Sequence, residues 1–342
     1  MEPLVSIIIP VYNSASYVVD AVSSALRQTY PNVEVVVVDD GSTDNSLSLV
    51  KQIDDSRLRV VSQINQGACV ARNRGIEEAK GEYIKFLDAD DVMYPDAIAA
   101  QMSQQACLNE NEVVFGDFDC IDGEGKVFYE NHFDETTYLA AKQDYWFLTN
   151  WEMLITCPLH RRDYLVKYGG FDIRLRGGQE SFLHLKLSLK GITFVHRSQR
   201  IFSYRSHQDE GRISCQRMNT LPRLNDLVYR NEAMLQMLQE KYGNDKNVFT
   251  SSISQRYFDA AWNYFCHGKS DEGRYCLRRS KSVPHLHYPK LKKSRMIARG
   301  YVFIGGIIGY VNAAKLMNGL IKVLGLGKGK ENSDKLQKVL FN

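Results

Sequence analysis

Three carboxylates crowd into four positions at Asp88-Ala89-Asp90-Asp91, directly after the apolar run Tyr83 to Leu87. Like charges at that spacing repel one another, and a cleft tolerates them when a hard cation lies among them. Mg2+ or Mn2+ held by one or two carboxylates and completed by phosphate oxygens matches the arrangement. A solvated acidic turn that caps the next helix is the other reading. A second acidic stretch, Asp39-Asp40-Gly41-Ser42-Thr43-Asp44, follows the run Val33 to Val38. A carboxylate there, Asp40 above all, can accept from a uracil or thymine N3–H or from ribose hydroxyls. In the plainer reading Ser42 or Thr43 caps a helix, and both readings can hold together.

The elements that must position these residues follow from the spacing of apolar side chains. Val5 to Ile9, Val33 to Val38, Leu58 to Val61 and Tyr83 to Leu87 are short runs bounded by turn residues, which predicts strands. Tyr17 to Arg27, Ser46 to Ile53, Ala68 to Ala79 and Ala97 to Leu108 carry apolar residues at helical spacing, with Ser14 and Thr43 as caps. Alternation of the two types predicts an α/β domain with a mostly parallel sheet and helices on both faces. Ligands of such sheets bind beyond the carboxyl ends of the strands. Pro10 to Asn13, Asp39 to Thr43, Gln63 to Gly67 and Asp88 to Asp91 should therefore share one cleft. Beyond them the pattern predicts a strand at Val113 to Phe118, helices at Tyr164 to Gly170 and Ser181 to Lys190, and strands within Thr193 to Tyr204.

Four segments resemble family 2 glycosyltransferases in order, spacing and chemistry across about 90 residues. They are Val5-Ser-Ile-Ile-Ile-Pro-Val-Tyr-Asn13, Val38-Asp-Asp-Gly-Ser-Thr-Asp44, Gly67 with Ala71-Arg-Asn-Arg-Gly75, and Gly81-Glu-Tyr-Ile-Lys-Phe-Leu-Asp-Ala-Asp-Asp91. The resemblance implies a GT-A nucleotide-diphospho-sugar transferase fold, Rossmann-like, with a nucleotide-sugar donor, Mn2+ or Mg2+, and inversion at the anomeric carbon. It implies that Pro10, Val11 and Tyr12 line the nucleoside pocket, that Asp40 meets the base, that Asp88 meets the ribose beside Ala89, and that Asp90 holds the metal. Arg72 falls where the family often places an arginine near the diphosphate; a guanidinium can bridge phosphate and carboxylate. A surface arginine is the alternative for Arg72, and Arg74 is the lesser candidate.

The resemblance continues at Gly169-Gly-Phe-Asp172 and Gly177-Gly-Gln-Glu-Ser-Phe-Leu-His-Leu-Lys186. Family members usually carry Glu-Asp where this chain has Gln179 and Glu180, and the second position is the catalytic base. Glu180 takes that role by alignment, with Asp172 as the alternative carboxylate; a first-turn glutamate complementing the helix dipole is the other reading. Tyr204-Arg205-Ser206-His207 resembles the segment after the last core strand, which makes His207 a candidate for the metal shell.

Charge is divided unevenly along the chain. Residues 1 to 268 hold 27 Lys and Arg against 36 Asp and Glu, a net of −9, whereas residues 269 to 330 hold 14 against 2, a net of +12. An acidic body argues against nucleic acid as the substrate of the main domain. The basic segment suits an anionic membrane surface. Gly300 to Ala314 is uncharged but shorter than the roughly 20 residues of a membrane span. Val311, Leu316, Leu320, Val323 and Leu324 line one face of an amphipathic pattern, assisted by Lys290, Lys292, Lys293, Arg295 and Arg299. That predicts peripheral membrane contact, with packing on the catalytic domain or in a homo-oligomer as the alternative. Seven scattered cysteines without C-x-x-C spacing, and an N-terminus unlike a signal peptide, predict a cytoplasmic chain, which the basic segment would hold at the inner face of the membrane.

The expected organisation is a catalytic domain over 1–215, divided into a nucleotide-sugar half (1–118) and an acceptor half (119–215), then a C-terminal helical appendage over 216–342. The expected activity is transfer of a sugar from a UDP- or dTDP-type donor to a saccharide or lipid-linked acceptor in cell-surface polysaccharide assembly. A nucleotidyltransferase would share the sheet and acidic site but would want a basic, glycine-rich loop where Pro10-Val-Tyr-Asn13 stands. A non-catalytic, membrane-associated nucleotide-sugar-binding protein is the third reading.

Overall fold

The computed structural model describes residues 2–131, 153–206, 220–243 and 251–282. These fall into two compact units, one within Met1–Tyr138 and Glu152–Gly211, the other within Arg212–Asn342.

The first unit opens with β1 (Val5–Val11), α1 (Val18–Leu26), β2 (Val33–Asp39), α2 (Ser46–Lys51), β3 (Leu58–Ser62), α3 (Ala68–Glu78) and β4 (Tyr83–Phe86). Valine and isoleucine stiffen the backbone toward the extended form, and β1 and β2 are buried along almost their whole length, as strands covered on both faces must be. β1 pairs in parallel with both β2 and β4, and β2 with β3. β5 (Val92–Met93), α4 (Ala97–Gln105), β6 (Glu112–Ile121), β7 (Val127–Asn131), β8 (His160–Arg161), α5 (Arg162–Lys167), α6 (Gln179–Leu189) and β9 (Thr193–Arg205) complete the unit. Two sheets result, ordered β3-β2-β1-β4-β8 and β5-β9-β6-β7. The first is parallel except for β8, whereas the second is mixed, with β9 parallel to β6 and antiparallel to β5. The strands with long apolar runs stand where the sequence puts them. β5 and β8, two residues each, depend on partners far along the chain.

Helix α3 packs on β1 and β2, with Val36, Val38 and Ala71 meeting in the core. Gly75 permits that approach: a Cβ there would lie 2.3 Å from Ile8 Cγ2. Any side chain at 75 would push away the helix that carries Arg72.

The second unit contains α7 (Leu221–Tyr242), α8 (Ser251–Cys266) and α9 (Ser270–Ser282). Pro222 sits in the first turn of α7, where its missing N–H is no loss. Arg279 grips Glu232 through Nε and Nη2 at 2.9 and 2.6 Å, tying α9 to α7. No helix among the described residues is long and apolar enough to cross a membrane.

Candidate active site

The loops after β1 and β2 knit together at the carboxyl edge of the first sheet. Asn13, with φ of 48°, accepts at Oδ1 from the Thr43 N–H at 2.8 Å and donates its own N–H to Ser42 Oγ at 3.1 Å. Asp44, rather than Thr43, receives the N–H that opens α2, from Ser46 at 2.9 Å. That hydrogen bond helps to hold the Asp44 carboxyl below its usual range, against the opposing effect of burial. Likewise Ser14 contributes its carbonyl, not its hydroxyl, to the start of α1. Tyr12 is 47% exposed at this edge, Pro10 is half-buried, and Val11 is buried with its carbonyl accepting from the Asp40 N–H.

Asp40 is buried and its carboxylate is fully engaged. Gln63 Nε2, the Gln66 N–H and the Gly67 N–H donate to it at 2.8, 2.9 and 2.8 Å. The loop before α3 is thus moulded around Asp40. Gly41 turns here with φ of 74°, and a Cβ on it would lie 2.8 Å from the Asn65 nitrogen.

The acidic turn follows β4. Asp91 is buried and accepts from the Arg205 N–H at 3.0 Å, while its own N–H donates to the Asp88 carbonyl. Ala89 is buried and Asp90 half-buried. Asp88 accepts from Arg72 Nη2 at 2.7 Å. Arg72 is itself 8% exposed, its Nη1 donates to Gln179 Oε1 at 2.5 Å, and its guanidinium lies 5.4 Å from the Phe171 ring centroid. Burial works against that charge, but Asp88 outweighs it, with smaller help from Cys69 and Glu180, and Arg72 is held above its ordinary value.

Gln179 begins α6 behind Gly178, which adopts a left-handed φ of 64°. Its Nε2 donates to the Leu175 carbonyl, which fixes the amide that receives Arg72. Glu180, half-buried in the first helical turn, comes close enough to contribute to the field on Arg72. Asn73 clasps the chain ahead of α6 through both main-chain groups of Phe171, at 2.8 and 2.9 Å. Arg72, Asp88, Gln179 and Glu180 therefore converge from three elements.

Other candidates lie elsewhere. Arg74 pairs with Glu78 along the surface of α3. Asp172 is tied to Arg174 at 2.7 Å. His207 lies outside the described residues. Among the described residues no three His, Cys, Asp or Glu side chains form a cage for a metal. A hard cation that shares phosphate oxygens needs only one or two carboxylates, and the acidic turn carries Asp90, half-buried, beside the Arg72-paired Asp88. Gln179, Asn73 and Arg205 had no role in the sequence reading. All three stand within motif segments, and only their long-range partners mark them out.

Residues 6–169 match the sequence profile of glycosyl transferase family 2. That segment, 164 of the chain's 342 residues, is similar to family 2. GlyG, a glycosyltransferase of Streptococcus pneumoniae serotype 4, is 41% identical over 132 residues, 38% of this chain and 44% of GlyG. EpsJ, an uncharacterised glycosyltransferase of Bacillus subtilis, is 36% identical over 144 residues, 42% of this chain and 39% of EpsJ. The matches thus span less than half the length of these curated relatives. Among solved structures, Staphylococcus aureus TarS 1-349 in complex with UDP-GlcNAc superposes with a TM-score of 0.55 at 17% identity, covering 82% of this chain and 92% of that one. The mannosyltransferase PcManGT of Pyrobaculum calidifontis, in complex with GDP-Man and Mn2+, gives 0.52 at 18%, covering 93% and 87%. The fold is GT-A. The family 2 match ends before Gln179 and Glu180, so the acid-bearing helix is placed by the fold and by Arg72.

Proposed function

We propose that the chain is an inverting glycosyltransferase that moves a sugar from a UDP- or dTDP-type donor to a saccharide or lipid-linked acceptor during cell-surface polysaccharide synthesis. The observation that carries this reading is the Arg72 bridge, which joins Asp88 of the acidic turn to the helix that presents Glu180. TarS and PcManGT, which share the fold, are seen with nucleotide-sugars, and PcManGT with Mn2+ as well.

Asp40 and the loop it shapes, with Pro10, Val11 and Tyr12, form the nucleoside side; Asp88 and Ala89 stand at the ribose. Asp90, with His207, would hold Mn2+ or Mg2+, which when bound offsets charge on the leaving diphosphate. Arg72 orients Asp88 and adds positive charge beside it. Glu180 takes the acceptor hydroxyl proton as the hydroxyl attacks the anomeric carbon from the side opposite the diphosphate. Residues 1–215 supply this site and 216–342 the appendage, whose segment 290–324 lies against an anionic membrane.

A panel of UDP-, dTDP- and GDP-sugars with Mn2+ tests the reading, with donor hydrolysis and transfer followed separately. One donor should be cleaved, and the linkage formed should have the anomeric configuration opposite to the donor's by NMR. Tight donor binding without turnover of any sugar would mark a binding protein, and a retained configuration would refute direct displacement. Cosedimentation with anionic vesicles tests the appendage: loss on truncation after Pro289 is expected, and equal sedimentation would sink the membrane role.

A further inference from the structure

We propose that Arg205 is a positioning residue for the metal- and diphosphate-binding turn, acting through Asp90 and Asp91; this rests on Asp90 being the metal ligand. Arg205 is the last residue of β9 and is only 6% exposed. Its main-chain N–H donates to Asp91 Oδ1 at 3.0 Å, and its Nε donates to the Asp90 carbonyl at 3.0 Å. Nη1 donates to the Gly123 carbonyl at 3.2 Å in the turn between β6 and β7, and Nη2 to Asp20 Oδ2 at 3.4 Å on α1. The guanidinium lies 5.1 Å from the centroid of the Tyr17 ring. One side chain thus gathers α1, the β6–β7 turn and the acidic turn.

The Arg205 main-chain N–H, which any residue at 205 keeps, holds the Asp91 carboxylate, and the side-chain Nε adds the hold on the Asp90 carbonyl that restrains the peptide unit between them. The direction in which the Asp90 side chain leaves the backbone is fixed with it. A buried cation within the turn also lowers the repulsion among Asp88, Asp90 and Asp91. Arg72 reaches the same turn by a different route, through the Asp88 side chain. Lysine at 205 keeps the charge and can reach one acceptor, but it lacks the planar fork that serves Asp90, Gly123 and Asp20 together.

The test is Mn2+ affinity read by electron paramagnetic resonance, in the presence of whichever of UDP, dTDP or GDP the wild-type chain binds best. Outer-shell partners of metal ligands are worth roughly 10- to 100-fold in affinity. Arg205→Gln should weaken Mn2+ at least tenfold while keeping the wild-type circular dichroism spectrum, and Arg205→Lys should recover part of the loss. Arg200→Gln, on the same strand but paired with Asp119 and Glu130, should bind Mn2+ as wild type does. If Arg205→Gln does not fold, Arg205→Lys carries the test, with a loss of about threefold or more expected. Wild-type Mn2+ affinity in folded Arg205 variants, with affinity lost in Asp90→Asn, overturns the proposal and leaves the metal site standing. Unchanged affinity in Asp90→Asn, or Mn2+ binding to the wild type with none of the three nucleotides, removes the metal reading and this proposal with it.

Discussion

Arg72 and Lys85 are both buried cations close in sequence to the acidic turn, and their fates are opposite. Arg72 has Asp88 at 2.7 Å and stays firmly protonated. Lys85, fully buried on β4, has only neutral partners among the described residues: Gln101 Oε1 at 2.6 Å and the Cys157 carbonyl at 3.3 Å. Desolvation dominates there and brings the amine down to about 7. The same burial therefore yields a charged bridge where Asp88 faces it and an amine only about half charged at neutral pH where no carboxylate does. Charge is retained beside Asp88 and partly shed toward the core.

The charged side can be broken most severely at Glu180, the proposed base. Glu180→Gln keeps size but loses proton affinity, so transfer should fall by roughly 10²-fold or more while donor binding survives. Calorimetry with the donor beside transfer assays separates the two. Near wild-type transfer would move the base to another carboxylate such as Asp172.

Arg72→Met removes the bridge itself. Asp88 loses its cation and Gln179 its donor, so kcat/KM should fall by about 10²-fold, with donor KM rising as well. An effect confined to stability, seen as a lowered melting temperature with unaltered kinetics, would reduce Arg72 to packing.

How much of this was legible in the sequence depends on how local the cause is. β1 through β4 are written in apolar runs bounded by turn residues, and the loops after them hold the acidic motifs as expected. The second sheet was not foreseen, because β5 carries two residues and exists through pairing with β9; β8, equally short, joins the edge of the first sheet only through β4. Arg72 was legible as a candidate, but Gln179 was only a departure from a pattern. Their hydrogen bond spans 107 positions, and no periodicity encodes it. Lys85 sat inside a strand whose burial on both faces is set by neighbours elsewhere in the chain.

Asp40 offers a smaller perturbation, because its chemistry is a loop rather than a reaction. Asp40→Asn replaces one acceptor oxygen with a donor and opposes an N–H of Gln63, Gln66 or Gly67. A loss of about 1–3 kcal/mol in denaturant unfolding is expected, with donor KM raised and kcat nearly unchanged at saturation. Unchanged KM would separate the loop from the donor.

Lys85→Met gives the most specific effect, since its pH dependence concerns one proton alone. The unfolded chain holds this proton up to the ordinary lysine value of 10.5, whereas the folded chain releases it near 7. Between those values the unfolded state binds more protons, so the contribution of Lys85 to stability rises with pH; below about 7 both states are protonated and the contribution is flat. Methionine cannot titrate, and other groups contribute alike to the two chains, so the difference between them isolates the site. His160, pushed down to about 3 by burial and by Lys85, stays neutral throughout this window. Wild type should gain on Lys85→Met by up to about 1.4 kcal/mol per pH unit above pH 7, and by less between pH 7 and 8 where release is incomplete. Urea unfolding of both chains at pH 6, 7, 8 and 9 measures it. A stability difference that did not change with pH would mean that Lys85 keeps its proton in the fold, and the contrast with Arg72 would be lost.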